Sequence, residues 1–194
     1  MAADPGEPLM PLSQLDPIAA LVVIDLQKGV MGMQTAHPTA DILARSADLA
    51  AAFRAKSLPV VLVNVAGRAP GRTSNPRTFN PPPGWDELAP ELGATATDIR
   101  VTKYNIGAFH GTGLDMQLRR RGVTQVILCG VATSSGVEAT ARAAYDHGYN
   151  VVSVTDAMTD GDPEAHEHAV TRQLIKIGET TTTAELLAAL AATA

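Results

Sequence analysis

The stretch Ala20-Leu21-Val22-Val23-Ile24-Asp25 decides the fold. Five apolar residues follow one another without alternation, three of them β-branched, and the run stops on a carboxylate. A strand that is apolar on both faces belongs in a parallel sheet covered by helices on either side. Three further runs read the same way: Pro59-Val60-Val61-Leu62-Val63-Asn64-Val65, Gln125-Val126-Ile127-Leu128-Cys129 and Tyr149-Asn150-Val151-Val152-Ser153-Val154. Ile99-Arg100-Val101-Thr102 adds a fifth strand, with Lys103 directly after it.

Between these runs the apolar period changes to that of a helix. Asp41 to Lys56 carries Ile42, Leu43, Leu49, Ala50 and Phe53, and Leu58-Pro59 ends it. Gly113 to Arg121 closes with three arginines near the negative end of the helix dipole. Ser134 to His147 places Val137, Ala141, Ala144 and Tyr145 on one face, with Gly148 as the stop. Pro163 opens another helix at a favoured first-turn position, running to about Ile175. Thr183 to Ala192 is the last, capped by Thr182 or Thr183. Strand–helix alternation with short connections predicts an α/β fold: a doubly wound, mostly parallel β-sheet with helices on both faces.

The 194 residues fit one domain, 1–194, with 1–17 as an N-terminal extension and 67–93 as a Pro/Arg-rich loop. That loop holds six prolines with Arg68, Arg72 and Arg77 between them; it reads equally as a solvated connection and as a cover over a site. A net charge of −5 with no basic stripe argues against a nucleic-acid partner. One cysteine permits neither an internal disulfide nor a multi-cysteine zinc site. No apolar run approaches the roughly 20 residues that span a bilayer. Met1 to Pro8 lacks the basic-then-apolar pattern of a secretory leader, so a cytoplasmic location is expected.

Ligands of open parallel sheets bind beyond the carboxyl ends of the strands. Asp25 stands at one such end and Lys103 at another. Gly130-Val131-Ala132-Thr133-Ser134-Ser135-Gly136-Val137-Glu138 forms a strand-to-helix turn at a third. A carboxylate there is costly unless paired or used, and turn N–H groups facing the same crevice would favour an anion or a developing oxyanion. Cys129, inside an apolar strand, reads as an inert core thiol. Ser134 reads as a helix cap. His166 and His168, two apart on a helix, read as surface residues rather than metal ligands.

Three blocks resemble the isochorismatase-like hydrolases, the cysteine hydrolase superfamily. They are Val22-Val23-Ile24-Asp25-Leu26-Gln27, then Lys103-Tyr104-Asn105-Ile106-Gly107-Ala108-Phe109-His110-Gly111-Thr112-Gly113-Leu114, then Cys129 through Arg142 with Asp156-Ala157 downstream. The resemblance implies a Rossmann-like three-layer fold and a hydrolase without a cofactor. It also implies a homodimer or homotetramer acting on a small molecule. Most family members attack an amide with a cysteine in the pattern Thr-Asn-x-Cys-Val, activated by an Asp and a Lys. Here the pattern reads Thr133-Ser134-Ser135-Gly136-Val137, and glycine stands at the nucleophile position. The isochorismatases proper also carry glycine there, and hydrolyse a vinyl ether by protonating its carbon.

By that resemblance Asp25 is the general acid and Lys103 its neighbour. Gly136, Ser135, Ala132, Val131, Phe109, His110 and Arg68 are expected to contact substrate or an oxyanion, with His110 open to a purely structural reading. The Val131–Ala132 peptide is expected to be cis. The arginines of the loop could clamp a substrate carboxylate. The third block departs from the Gly-Val-Tyr-Ala-His-x-Gly of the isochorismatases proper, and Val65-Ala66-Gly67 stands where they carry a Gln. Two further readings stay open: an amide or ester hydrolase using Ser134, Ser135 or an activated water, and a pocket that binds without turnover. The Asp-x-His…His metal set of the nicotinamidases has no counterpart, since no histidine lies between His37 and His110.

Overall fold

The computed structural model describes residues 12–74 and 79–193; Arg77 and the Met1–Pro8 segment lie outside them. Six strands form one parallel sheet: β1 (Ala19–Ile24), β2 (Val60–Val65), β3 (Ile99–Lys103), β4 (Gln125–Val131), β5 (Asn150–Thr159) and β6 (Glu179–Thr181). Their spatial order is β3-β2-β1-β4-β5-β6. The chain fills one half of the sheet, then crosses at β1/β4 to build the other, so the carboxyl ends of β1 and β4 flank the point where the winding reverses.

The unbroken apolar runs are explained by two cores, one on each face. Ala19, Leu21 and Val23 enter the first, with Ile42, Leu49 and Phe53 of α2 (Thr39–Ala55) and Leu186 and Leu190 of α6 (Thr183–Ala192). Ala20, Val22 and Ile24 enter the second, with Leu114 and Leu118 of α3 (Leu114–Arg120) and Ala141 and Ala144 of α4 (Glu138–Asp146). Successive residues of one strand feed opposite layers, as strand geometry demands. A short α1 (Lys28–Met31) follows β1, and α5 (Pro163–His168) follows β5.

Several expected boundaries change. The helix expected over 134–147 begins as a π-helical turn, Thr133–Val137, before α4. The helix expected from Pro163 to Ile175 is α5, then a π-helical turn at Ala169–Gln173 and a 3-10 turn at Leu174–Lys176. β5 runs five residues beyond Val154 and slips register against β4 between Leu128 and Gly130. Within that slip Asp156 turns outward, and its carboxylate accepts the Thr183 N–H and hydroxyl at the start of α6. Thr182 caps α6 in a reciprocal capping box with Glu185. Among the described residues, the 67–93 stretch contains a 3-10 turn, Pro90–Leu92, and an isolated antiparallel bridge from Leu88 to Gln27.

Candidate active site

Asp25 is the first residue past β1 and adopts a left-handed backbone, φ 52°. Its N–H donates to the Val63 carbonyl at 3.0 Å, so it continues the β1–β2 ladder while its side chain is turned off the strand direction. Gln27 fixes the next step. Its buried amide accepts the Val65 N–H at 2.8 Å and donates to the Val65 carbonyl at 3.1 Å and the Trp85 carbonyl at 3.2 Å. One side chain therefore ties the end of β1 to the end of β2 and to the far half of the 67–93 loop. β2 pairs Val65 with Lys103 of β3, which brings the lysine to the same edge.

Lys103 Nζ donates to Asp25 Oδ2 at 2.8 Å and to the Asn105 carbonyl at 3.3 Å. Both residues are nearly shut off from solvent, at 3% and 6% exposed. The second carboxylate oxygen, Asp25 Oδ1, is buried without a partner. Desolvation of the carboxylate outweighs the attraction and hydrogen bond of Lys103, and the Asp25 carboxyl is pushed up to about 6. The group is thus poised to hold or lose a proton close to neutrality.

The third component is the turn after β4. Gly130 has φ 113°, and a Cβ there would collide with the Ile24 carbonyl oxygen, so only glycine lets β4 lie against the end of β1. The Val131–Ala132 peptide is cis, as expected. The Ala132 carbonyl accepts the N–H groups of Ser135 and Val137, each at 3.1 Å. Ser134 directs both its N–H and its hydroxyl to Asp160 Oδ2, each at 2.8 Å. Two corrections follow. Ser134 does not cap the helix, and the N–H groups of Ser134 and Ser135 are consumed inside the protein rather than presented to the crevice. Gly136 lies beside the Asp25–Lys103 pair: a Cβ at this position would sit 3.1 Å from Ile24 Cγ2 and 3.4 Å from Asp25 Oδ2.

These parts enclose a cleft of about 270 Å³. Asp25, Lys103, Arg68, Val131, Ala132, Ser135 and Gly136 line it, so seven of the expected site residues are brought together. Phe109 and His110 are not among its lining. Phe109 is buried in the second core, its ring 5.2 Å from that of His147 and 6.0 Å from that of Tyr149. His110 is exposed, and its carbonyl accepts from Asn105 Nδ2 at 3.2 Å. The block that contains them is a packing device: the Ala108 N–H donates to Thr140 Oγ1, which itself donates to the Gly136 carbonyl. The cleft is completed instead by Asn105 and Ile106, just past Lys103, and by Val30 and Met33 after β1. Their adjacency to the strand ends was the available signal.

Cys129 is fully buried in the first core, and burial pushes its thiol up to about 12; it is no nucleophile. His166 is buried rather than on the surface, and its Nδ1 lies 2.9 Å from Thr133 Oγ1. Among the described residues no group of three or more His, Cys, Asp or Glu side chains could hold a metal ion, and no helix is long and apolar enough to cross a membrane.

A parallel three-layer fold with an Asp–Lys pair and a glycine turn at the winding reversal defines a class, and residues 19–185 match the isochorismatase domain family. The chain belongs to that family and is a hydrolase. It is 40% identical over 180 residues to the uncharacterised isochorismatase family protein YecD of Escherichia coli O157:H7, covering 88% of this chain and 95% of YecD. It is 32% identical to Nicotinamidase 3 of Arabidopsis thaliana, covering 77% of each chain. Among solved structures, an isochorismatase family protein from Burkholderia thailandensis superposes with a TM-score of 0.88 at 43% identity, covering 94% of this chain and 99% of that one.

Proposed function

We propose that the protein hydrolyses a small vinyl ether of the isochorismate type, with Asp25 as general acid, Lys103 beside it and no covalent nucleophile. One observation carries this reading: a buried Asp25 carboxyl, pushed up to about 6, faces Gly136, the position that the family resemblance matches to the cysteine of the amidases. Protonated Asp25 transfers its proton to the terminal carbon of the enol ether, leaving an oxocarbenium ion. Water adds to that cation and loses a proton, and the resulting hemiketal collapses to an alcohol and a 2-keto acid, pyruvate for an enolpyruvyl ether. The solvent-borne proton restores Asp25. Lys103 holds Asp25 Oδ2 in place throughout, and Arg68 at the cleft supplies a guanidinium for a substrate carboxylate.

The test is pyruvate release from isochorismate and simpler enolpyruvyl ethers. Asp25→Asn is expected to lower turnover by a factor of about 100 or more, with circular dichroism confirming that it folds. Because the acid must be protonated, kcat/KM should fall as pH rises through about 6. Lys103→Met removes the charge that lowers the Asp25 value, so its falling limb should move to higher pH. Turnover that instead rises through pH 6 would make Asp25 a base and sink the acid mechanism.

A second reading has its own support. Ser135 is exposed at the cleft, and a named relative is a nicotinamidase. Ammonia release from an amide panel, lost in Ser135→Ala and kept in Ser134→Ala, would favour an amide hydrolase over the vinyl ether reading. Silence on both panels would leave a binding protein.

A further inference from the structure

The turn that carries Gly136 is secured by side chains that never reach the cleft. Its first residue, Thr133, is buried, and its hydroxyl meets His166 Nδ1 at 2.9 Å. Its second, Ser134, is bound twice by Asp160 Oδ2. Asp160 is itself fixed: its carbonyl accepts the Ala36 N–H at 2.8 Å, and its Oδ1 accepts the Asp162 N–H at 3.3 Å. His166 is buttressed edge-on by His37, with ring centroids 4.7 Å apart, and the His37 N–H donates to Thr159 Oγ1 at 3.0 Å. Two side chains, Asp160 just past β5 and His166 in α5, thus hold the outer side of the turn, while its inner side faces Ile24 and Asp25, so near that a Cβ on Gly136 would lie 3.1 Å from Ile24 Cγ2 and 3.4 Å from Asp25 Oδ2.

The turn needs such a brace. No side chain caps it, and a single π-helical turn lacks the repeating i→i−4 ladder that makes an α-helix rigid. If it lifts, water enters between Gly136 and Asp25, and the desolvation that governs the carboxyl is relieved. We propose that His166, acting through Thr133, and Asp160, acting through Ser134, are positioning residues that press the Gly136 turn onto Asp25 and keep that carboxyl dry. The inference rests on Asp25 being the reacting acid, and it extends the site to two residues that touch neither substrate nor reacting atoms.

The Asp25 carboxyl is titrated by carbon-13 NMR, with Asp25→Asn assigning the resonance, so the readout needs no substrate. Thr133→Val keeps the shape and deletes the hydroxyl; His166→Leu and Asp160→Ala delete the two anchors. In each, the Asp25 midpoint should fall by about one pH unit toward the ordinary carboxylate range. His166→Asn, which can offer a polar atom where Nδ1 stands, should restore most of the shift. Leu190→Ala, a cavity in the opposite core, should lower stability and leave the midpoint in place. If Thr133→Val and Asp160→Ala both fold and leave the midpoint where it is in the wild type, the brace has no such role. Should His166→Leu fail to fold, Thr133→Val decides. Absence of pyruvate release would overturn the vinyl ether reading while leaving this titration fully interpretable.

Discussion

At residue scale the site is defined by one carboxyl group and one absent side chain. Gly136 has an ordinary backbone, so a larger residue there is limited by space and not by conformation: the nearest obstacle is a methyl of Ile24 at 3.1 Å from a Cβ, which must give by a few tenths of an ångström. Gly136→Cys should therefore fold, at an overpacking cost of roughly 1–3 kcal/mol. Its sulfur would lie beside Asp25 and Lys103 at the cleft. The wild-type protein should resist iodoacetamide, because Cys129 is buried and its thiol pushed up to about 12. The variant should take up one equivalent in the native state, confirmed by peptide mass, and lose the pyruvate release proposed for the wild type. A variant as inert as the wild type would mean that position 136 does not open to the cleft.

At the scale of elements, the close approach of β1 and β4 depends on Gly130. Its φ of 113° and the Ile24 carbonyl oxygen leave no room for a Cβ, and the obstacle is backbone. Gly130→Ala should cost about 3 kcal/mol or more, read as a lowered urea midpoint, with loss of turnover even where the variant folds. The long central strands were legible because burial on both faces leaves an unbroken apolar run. β6 was not, since Glu179-Thr180-Thr181 is three polar residues held by the neighbouring β5. The second half of β5 was hidden because the bulge turns Thr155 and Asp156 outward. Both π-helical turns keep an apolar spacing that also suits an α-helix, so periodicity alone cannot find them. Asp25, Lys103 and the Gly136 turn were readable as strand-end positions. Phe109 lies outside the cleft lining, as does His110, for which the structural reading was open, because motif proximity says nothing of which way a side chain faces. His166 carried a usable signal: it stands four residues before Val170 and eight before Leu174, both in the second core.

At the scale of the whole molecule, the site runs against the stability of the fold that holds it. The Asp25 carboxyl moves from 3.8 to about 6 on folding. Between those values the folded chain keeps a proton that the unfolded chain has released, so stability falls as pH rises from about 4 to about 6 and stays reduced above it. A shift of this size amounts to roughly 3 kcal/mol. His166 acts in the opposite sense. Burial, with His37 beside it, holds its imidazole below the usual 6.5, against the weaker pull of Asp160 and Glu167. The unfolded chain therefore takes up that proton first, and stability is lost as pH falls below 6.5. In the wild type the two effects therefore have opposite signs. The double variant Asp25→Asn, Lys103→Met removes the buried pair together, leaving no lone charge. It should be more stable than the wild type at pH 8 by up to about 3 kcal/mol. That advantage should shrink as pH falls from 6 toward 4, where wild-type Asp25 is neutral in any case, and urea midpoints across pH 4.5–8 measure it. A gap that stays constant over that range would show that Asp25 does not change charge near pH 6, and with it would go the proton donor on which the proposed chemistry turns.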